Sequence, residues 1–249
     1  MANELKVSVP ASLAGHASAP SSQSAIGILS RALLRMEANP MPSYLLRGSP
    51  VRLMFESLAP HFSGPIKLLF TNLWLFAPLL KFILTRKPTT ATMVRTTTAL
   101  TVMRAGAKEN VVPREAVALI NHRIHPRDTV EGVIEYTKRV VDDERIKVRG
   151  VSSIPPAPVS SSTSFGFKTI QRALGRALPD VLVAPALMVG NTDTHHYWGI
   201  ADDIYRFSPT RLTNETVGMF HGANEKMNID NFIETIGFYR AVIQLADGV

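Results

Sequence analysis

The first 150 residues carry apolar and polar positions whose period switches between that of a strand and that of a helix. The pattern predicts the order strand, helix, strand, strand, helix, strand, which is typical of the split βαβ, ferredoxin-like arrangement. The strands are predicted at 5–9, 96–104, 111–123 and 146–148, and the helices at 26–36 and 129–142. Ser22 or Ser24 can cap the first helix, and Asn39 followed by Pro40 ends it.

Residues 40–95 interrupt this pattern before the second strand. Seven prolines divide the segment into short pieces, with apolar runs at 51–58 and 66–84 between them. We expect short helices packed around an apolar surface. That surface could bind a long acyl chain, enlarge a dimer interface or belong to an ordinary core, and the sequence leaves these three interpretations open.

A stretch rich in serine and proline at 152–164 separates the two halves of the chain. Beyond it the pattern predicts helices at 165–178 and 229–246 and strand-like apolar runs at 181–189 and 204–207. Helices that alternate with short strands are typical of an α/β layer. The sequence therefore predicts an α+β domain at 1–150, with the apolar insert at 40–95, and an α/β portion at 151–249.

Composition narrows the functional classes. Of the 249 residues, 45% are hydrophobic, which is enough to bury a sizeable core. Because the chain has no cysteine, a disulfide framework and a thiolate metal site are excluded. The net charge of +7 suggests an anionic partner, but acidic residues interrupt the densest basic stretch at 138–149 and no nucleic-acid-binding motif is present. We therefore expect no nucleic-acid partner.

The most apolar segment, residues 70–84, contains Pro78 and Lys81. A membrane span needs about 20 apolar residues, more than this segment offers. We predict that the segment is buried or interfacial and that the chain has no transmembrane segment. The first residues lack the charged and apolar regions of a signal peptide, and the compartment stays undetermined.

Standard catalytic motifs are absent, since the sequence contains no Gly-x-Ser-x-Gly, Walker loop, Gly-x-Gly-x-x-Gly or His-Glu-x-x-His. His16 lies between small residues, which would let its imidazole donate to a developing oxyanion, although a surface-loop histidine is the alternative. Arg123 lies near the far end of a predicted strand. Its guanidinium suits a carboxylate because it can bind two oxygens at once, whereas an exposed salt bridge is the alternative.

Two more histidine-containing segments follow in the second half. Asp193, His195 and His196 come just after an apolar run, where open α/β sheets place their ligands. The adjacent His195 and His196 are expected to diverge rather than share a metal ion. His221 precedes the last helix, and imidazole is a common zinc ligand, although a packed or exposed histidine is the alternative.

Taken together, these segments resemble the di-zinc metallopeptidase family of aminoacylase, carboxypeptidase S and the Gly-Xaa carboxypeptidases. Within that family the chain is most similar to the branch of N-fatty-acyl-amino-acid synthase/hydrolases. The resemblance covers nearly the whole chain and rests on motifs that occur in the family's order. They are GHASAP, VRTTTALTVMRAG, NVVP, NHRIHP, GNTDTHHYW, IYRFSP and FHGANEKMNI.

The resemblance implies a fold and a role for particular residues. Residues 1–150 would be a ferredoxin-like lid that dimerises, and 151–249 the C-terminal part of an α/β catalytic domain that carries two zinc ions. His16 matches the lid histidine that stabilises the tetrahedral intermediate, commonly in the neighbouring subunit's site. Asn110 and Arg123 match lid residues that hold the substrate's carbonyl or carboxylate, Asp193 lies in a site-shaping motif, and His221 matches the last zinc ligand.

The chain also departs from the family. At His195 the family usually carries arginine, and the family's His-x-Asp and Glu-Glu pairs, which supply metal ligands and the general base, do not occur in this chain. A di-zinc site needs several ligands and a base. We therefore expect the C-terminal portion of a zinc-dependent hydrolase that cleaves or forms the amide bond of N-acyl amino acids or small peptides with a free carboxylate. By itself the chain is expected to be inactive; a non-catalytic dimerisation module is the alternative.

Overall fold

The computed structural model describes residues 2–8, 13–188, 190, 192–213, 216, 218, 219 and 222–247, with only the backbone described for 2–8. The elements are β1 (Ala2–Ser8), β2 (Gly15–His16), α1 (Ala25–Ala38), α2 (Pro50–Leu58), α3 (Gly64–Thr71), α4 (Leu73–Thr85), α5 (Pro88–Ala91), β3 (Thr97–Ala105), β4 (Val111–Val112), β5 (Glu115–Arg123), α6 (Val130–Val141), β6 (Ile146–Ser152), α7 (Phe165–Ala177) and α8 (Ile229–Ala246), with 3-10 turns at Ala59–His61 and Asp193–Tyr197. The chain divides into two compact units, Met1–Leu46 with Leu73–Ala157 and Arg47–Asn72 with Pro158–Val249.

The first unit is built on a four-stranded sheet in the order β3-β5-β1-β6, with every neighbouring pair antiparallel. Helices α1 and α6 pack against each other, and α1 also contacts β1, β3 and β5. This strand order, with α1 between β1 and β3 and α6 between β5 and β6, is that of the ferredoxin-like fold. The predicted fold class is therefore confirmed for this unit.

The core of the first unit lies between the helices and one face of the sheet. Alternate residues of β5 are buried, because successive side chains of a strand point to opposite faces. Helix α1 contributes a stripe at the i, i+3, i+4 spacing of an amphipathic helix. The buried cluster comprises Ala25, Ile28, Leu29, Ala32, Leu33, Met36, Ala116, Ala118, Ile120, Val141 and Ile146.

Helix α1 begins where the sequence predicted, and the structure decides between the two candidate caps. The Gly27 N–H donates to Ser24 Oγ at 3.1 Å, so Ser24 is the N-cap. Replacing Ser24 by alanine is expected to lower the free energy of unfolding by about 1 kcal/mol, because a helical N–H loses its partner. Urea denaturation would measure this loss. Ser22→Ala serves as the control, and an equal loss in that variant would contradict the assignment.

The predicted strand at 111–123 is wrong as a single element. Pro113 and Arg114 separate β4 from β5, and β4 pairs with β2 in a sheet of its own. Proline has no backbone N–H to donate to a ladder, so the pairing stops there. The break gives the two ends of the predicted strand different partners.

The apolar insert forms the short helices that the prolines predicted. Pro50, Pro65 and Pro88 lie in the first turns of α2, α3 and α5, where a missing N–H costs nothing. Among the described residues no single helix is long and apolar enough to cross a membrane; α3 and α4 reach that length and hydropathy only when counted together across a break.

In the second unit α7 packs against α8 around Ala173, Leu174, Phe238 and Ala241. The strands predicted at 181–189 and 204–207 are wrong for the described residues of these runs, which form no strand. The Ile204 N–H donates to Ser160 Oγ at 2.8 Å, and Ser160 Oγ donates to the Ile204 carbonyl at 2.9 Å. A serine side chain thus takes the hydrogen bonds that a neighbouring strand would have made.

Candidate functional site

The two-stranded pair β2–β4 brings together two predicted site residues from distant parts of the chain. His16 pairs with Val111, and the Ala17 N–H donates to the Asn110 carbonyl at 2.9 Å. Gly15 has a φ of 150°, a conformation that L side chains rarely adopt, so the glycine before His16 is required by the backbone. The loop histidine and Asn110 therefore belong to one exposed structure.

The hydrogen bonds of His16 decide which ring nitrogen carries the proton. The Ser18 N–H donates to His16 Nδ1 at 3.2 Å, and Ser18 Oγ lies 2.8 Å from the same nitrogen. Since a backbone N–H can only donate, Nδ1 accepts, and the neutral imidazole holds its proton on Nε2. The exposed ring can thus offer an Nε2–H donor, which is what an oxyanion requires.

Arg123 lies at the opposite end of the sheet. In the antiparallel pair of β1 with β5, Ala2 lies opposite Asn121 and Ser8 lies opposite Glu115. The pair of β2 with β4 follows at the Glu115 end, with Gly15 opposite Val112 and His16 opposite Val111. With a rise of about 3.3 Å per residue, the Cα atoms of Glu115 and Arg123 are about 26 Å apart. Within one chain, therefore, the structure does not bring Arg123 to His16 and Asn110.

The strand end that carries Arg123 is anchored by buried polar groups that sequence analysis missed. His122 faces the helices, is 2% exposed and has Nδ1 at 3.2 Å from Thr98 Oγ1. Burial lowers its pKa to about 4, so the ring is neutral at pH 7. Arg123 and Asn121 lie on the other face of the strand and are exposed.

A second network fixes the turn after β5. The His125 N–H donates to Thr96 Oγ1 at 2.9 Å, and Thr96 Oγ1 donates to one oxygen of Asp128. Tyr44 donates to the other Asp128 oxygen at 2.9 Å; burial, followed by this bond, raises the pKa of Tyr44. A cavity of about 240 Å³ lies beside it, lined by Met41, Pro42, Tyr44, Asp128, Gly132, Glu135, Tyr136 and Arg139. The His125-to-Asp128 spacing in a polar turn was the available sequence signal.

In the second unit, Asp193 is exposed at the start of the 3-10 turn Asp193–Tyr197, which Thr192 caps. The expectation that His195 and His196 diverge is wrong, because their ring centroids are 3.7 Å apart. The expectation assumed regular structure, whereas both residues lie in a 3-10 turn of five residues. His195 Nδ1 donates to the Thr192 carbonyl at 3.1 Å, so its proton is on the nitrogen opposite to that of His16.

The described residues do not form a metal centre. No three His, Cys, Asp or Glu side chains within the described ranges lie close enough to hold a metal ion. His221, the predicted zinc ligand, lies outside the described residues. The residues at hand therefore do not fit a di-zinc site on their own.

The sequence matches the peptidase dimerisation domain of the M20 family over residues 12–149. The chain belongs to the M20 peptidase family. That match covers β2 through α6 of the ferredoxin-like unit. His16, Asn110 and Arg123 all lie within the matched dimerisation domain.

Curated relatives of this M20 chain are hydrolases. It is 43% identical over 242 residues to the "probable carboxypeptidase S-like 2" of Dictyostelium discoideum, and covers 46% of it. It is 41% identical over 236 residues to the N-fatty-acyl-amino acid synthase/hydrolase PM20D1 of Xenopus tropicalis, again covering 46%. These matches include 97% and 94% of the present chain. The chain thus spans about half the length of the curated relatives it matches.

A solved structure supports the fold. All of the chain superposes on 58% of an M20 family metallo-carboxypeptidase from Sulfolobus solfataricus, with a TM-score of 0.59 and 16% identity. At that identity the likeness concerns the backbone fold alone. The M20 fold is therefore supported by both sequence and structure.

Proposed function

We propose that this M20 chain is the lid and the C-terminal catalytic portion of a zinc-dependent hydrolase that cleaves or forms the amide bond of N-acyl amino acids or small peptides with a free carboxylate. The observation that carries the proposal is the contact of the Ser18 N–H with His16 Nδ1, which leaves an Nε2–H donor on a residue whose strand pairs next to Asn110. Such a donor stabilises an amide carbonyl oxygen as it gains negative charge in the transition state. The hydrolase relatives support the same reaction class.

In this proposal His16 binds the developing oxyanion, Asn110 orients the carbonyl and Arg123 binds the substrate carboxylate. Because Arg123 lies at the far end of β5 from the other two, one substrate is expected to meet both groups only in a dimer. The lid of one protomer would supply His16 and Asn110, and its partner would supply Arg123. A dimerisation domain that includes all three residues supports this arrangement.

The metal and the general base are proposed to come mainly from an N-terminal half that acts together with this chain. His221 remains the proposed zinc ligand and Asp193 a residue that shapes the site. Helix α8 supports such a division, because one of its sides exposes Ile229, Phe232, Ile233, Ile236 and Ile243. An apolar face of this kind is typical of a surface that packs against another part of a protein.

The test compares the 249-residue chain with an enzyme that also contains the metal-binding half. Zinc content and hydrolysis of N-acyl amino acids and dipeptides would be measured for both, before and after chelation. We expect zinc and chelator-sensitive turnover only in the longer protein. Zinc-dependent turnover by the chain alone would contradict the division of roles.

A second candidate is a non-catalytic dimerisation module. It is favoured by one observation, namely that the described residues hold no cluster of metal ligands. The same assay separates the two functions. Absence of turnover in the longer, zinc-loaded protein, together with stable dimers of the chain, would favour the module.

Replacing Arg123 by alanine in the longer enzyme is expected to raise KM about tenfold for substrates with a free carboxylate, because a charge-assisted hydrogen-bond donor is lost. The kcat should change little. Steady-state kinetics on an N-acyl amino acid and on its uncharged amide would measure the difference. Arg172→Ala, an exposed arginine on α7, is the control. An unchanged KM for the carboxylate substrate would remove Arg123 from the site.

A further inference from the structure

Helix α4 exposes an apolar face. Leu73 and Leu80 are buried on one side of the helix, at 2% and 5% exposure. The opposite side carries Trp74, Leu75, Leu79, Phe82 and Ile83, which we call the α4 face; Trp74 is 73% exposed and Phe82 56%. Leu75, Leu79, Phe82 and Ile83 recur at three- and four-residue spacing and so form one continuous stripe, and the exposed Trp74 directly precedes it in the chain. A contiguous exposed patch of large apolar side chains marks an interaction surface.

The sequence on either side of this helix carries charge of one sign. Residues 57–108 contain seven Lys or Arg and no Asp or Glu, whereas the rest of the chain holds 20 residues of each sign. The whole formal net charge of +7 therefore resides in the segment that contains α4. Lys81 lies within the helix, and Arg86 and Lys87 follow its end as exposed residues. The Arg86 guanidinium lies 4.4 Å from the centre of the Phe82 ring, directly beside the α4 face.

An apolar stripe with Arg86 beside it, in a segment that has Lys and Arg but no Asp or Glu, complements an anionic lipid surface. Apolar side chains enter the boundary between headgroups and acyl chains, while Lys and Arg stay at the level of the headgroups. The helix has 13 residues and is about 20 Å long, too short to cross a bilayer. Such a helix lies in the plane of the surface.

We propose that α4 docks this chain on an anionic membrane surface, with the α4 face in the lipid and Lys81, Arg86 and Lys87 on the headgroups. The proposal goes beyond amide hydrolysis and does not require the chain to be catalytic. Helix α8 provides the contrast, because its exposed apolar side shares the helix with Asp230. A carboxylate of that kind is repelled by anionic lipids and is ordinary in a contact between protein parts.

The test uses vesicles and the chain's own tryptophans. Trp74 and Trp198 are the two tryptophans of the chain, so the variant Trp198→Phe reports from the α4 face alone. Vesicles of phosphatidylcholine with about 30% phosphatidylglycerol should shift the Trp74 emission to the blue and co-sediment the chain, and binding should weaken in about 0.5 M NaCl. Pure phosphatidylcholine vesicles should bind it about tenfold more weakly.

Matched variants locate the surface. Phe82→Glu, and separately Arg86→Glu with Lys87→Glu, are each expected to weaken binding to the anionic vesicles about tenfold. The controls are Ile243→Glu on α8, which is 63% exposed, and Arg172→Glu with Arg176→Glu on α7. Circular dichroism confirms that each variant is folded.

Equal loss of vesicle binding in the controls, or no emission shift of Trp74, would overturn the proposal. It would also be overturned if Phe82→Glu dissociated a dimer while vesicles bound neither protein, since the occupant would then be a second copy.

Discussion

Replacing His16 by alanine in the longer enzyme is expected to lower kcat about 10²–10³-fold, the usual cost of losing one oxyanion donor. In the proposed role the ring donates from Nε2, because Ser18 occupies Nδ1, and this donor would act on charge that forms only in the transition state. Zinc content and KM should stay near those of the parent protein. Steady-state kinetics and zinc analysis on the same preparation would measure all three quantities. Normal turnover of the variant would reject the role.

Mixing variants then tests whether the site is shared between protomers. His16→Ala and Arg123→Ala would be unfolded together and refolded as mixed dimers. If the two residues reach one site from different subunits, a mixed dimer has one site with both lesions and one intact site. Random pairing makes about half of the dimers mixed, so at substrate concentrations well below KM, where Arg123→Ala costs about tenfold, about a quarter of the parental activity should return. Activity no higher than the mean of the two separate variants would show that both residues serve a site from the same chain.

Lowering the pH from about 6.5 to 4 is expected to reduce the free energy of unfolding by about 3 kcal/mol through His122. Burial lowers the pKa of this ring from 6.5 to about 4 in the folded chain. Between these values the unfolded chain binds a proton that the folded chain does not, so stability falls as the pH falls and levels off below about pH 4. Burial also lowers the pKa of His125, which adds to the loss in the same direction.

Urea denaturation at several pH values would measure this dependence. His122→Gln removes the titrating ring and should flatten much of the curve, even if it lowers stability at pH 7. His61→Gln, at an exposed histidine, is the control and should leave the slope unchanged. A slope that persists in full in His122→Gln would contradict the assignment.

The helices were predictable because their signals are local. Helix α8 spans the predicted residues 229–246, and α1 and α6 have the caps and apolar spacing that the sequence contains. The strands at 181–189 and 204–207 failed because an apolar run forms a strand only where another strand can pair with it. In the described part of the second unit, Ser160 meets the backbone at Ile204 instead.

The candidate site shows the same division between local and long-range information. Histidine among small residues suggested an accessible imidazole, and motif resemblance suggested its role, but neither identified the nitrogen that carries the proton. That follows from the contact with Ser18. The turn network of Thr96, His125 and Asp128 was missed because each member lies in an ordinary polar stretch and only folding brings them together.

By itself, the amino-acid sequence determined the ferredoxin-like order of elements, the M20 family resemblance and the choice of candidate site residues, because these depend on periodicity and on motifs that are contiguous in the chain. Only the tertiary structure decided that His16 and Asn110 share one strand pair while Arg123 lies at the other end of the sheet. It also decided that the apolar residues of α4 face outward. Both results depend on pairing and burial between distant segments, which no local pattern specifies.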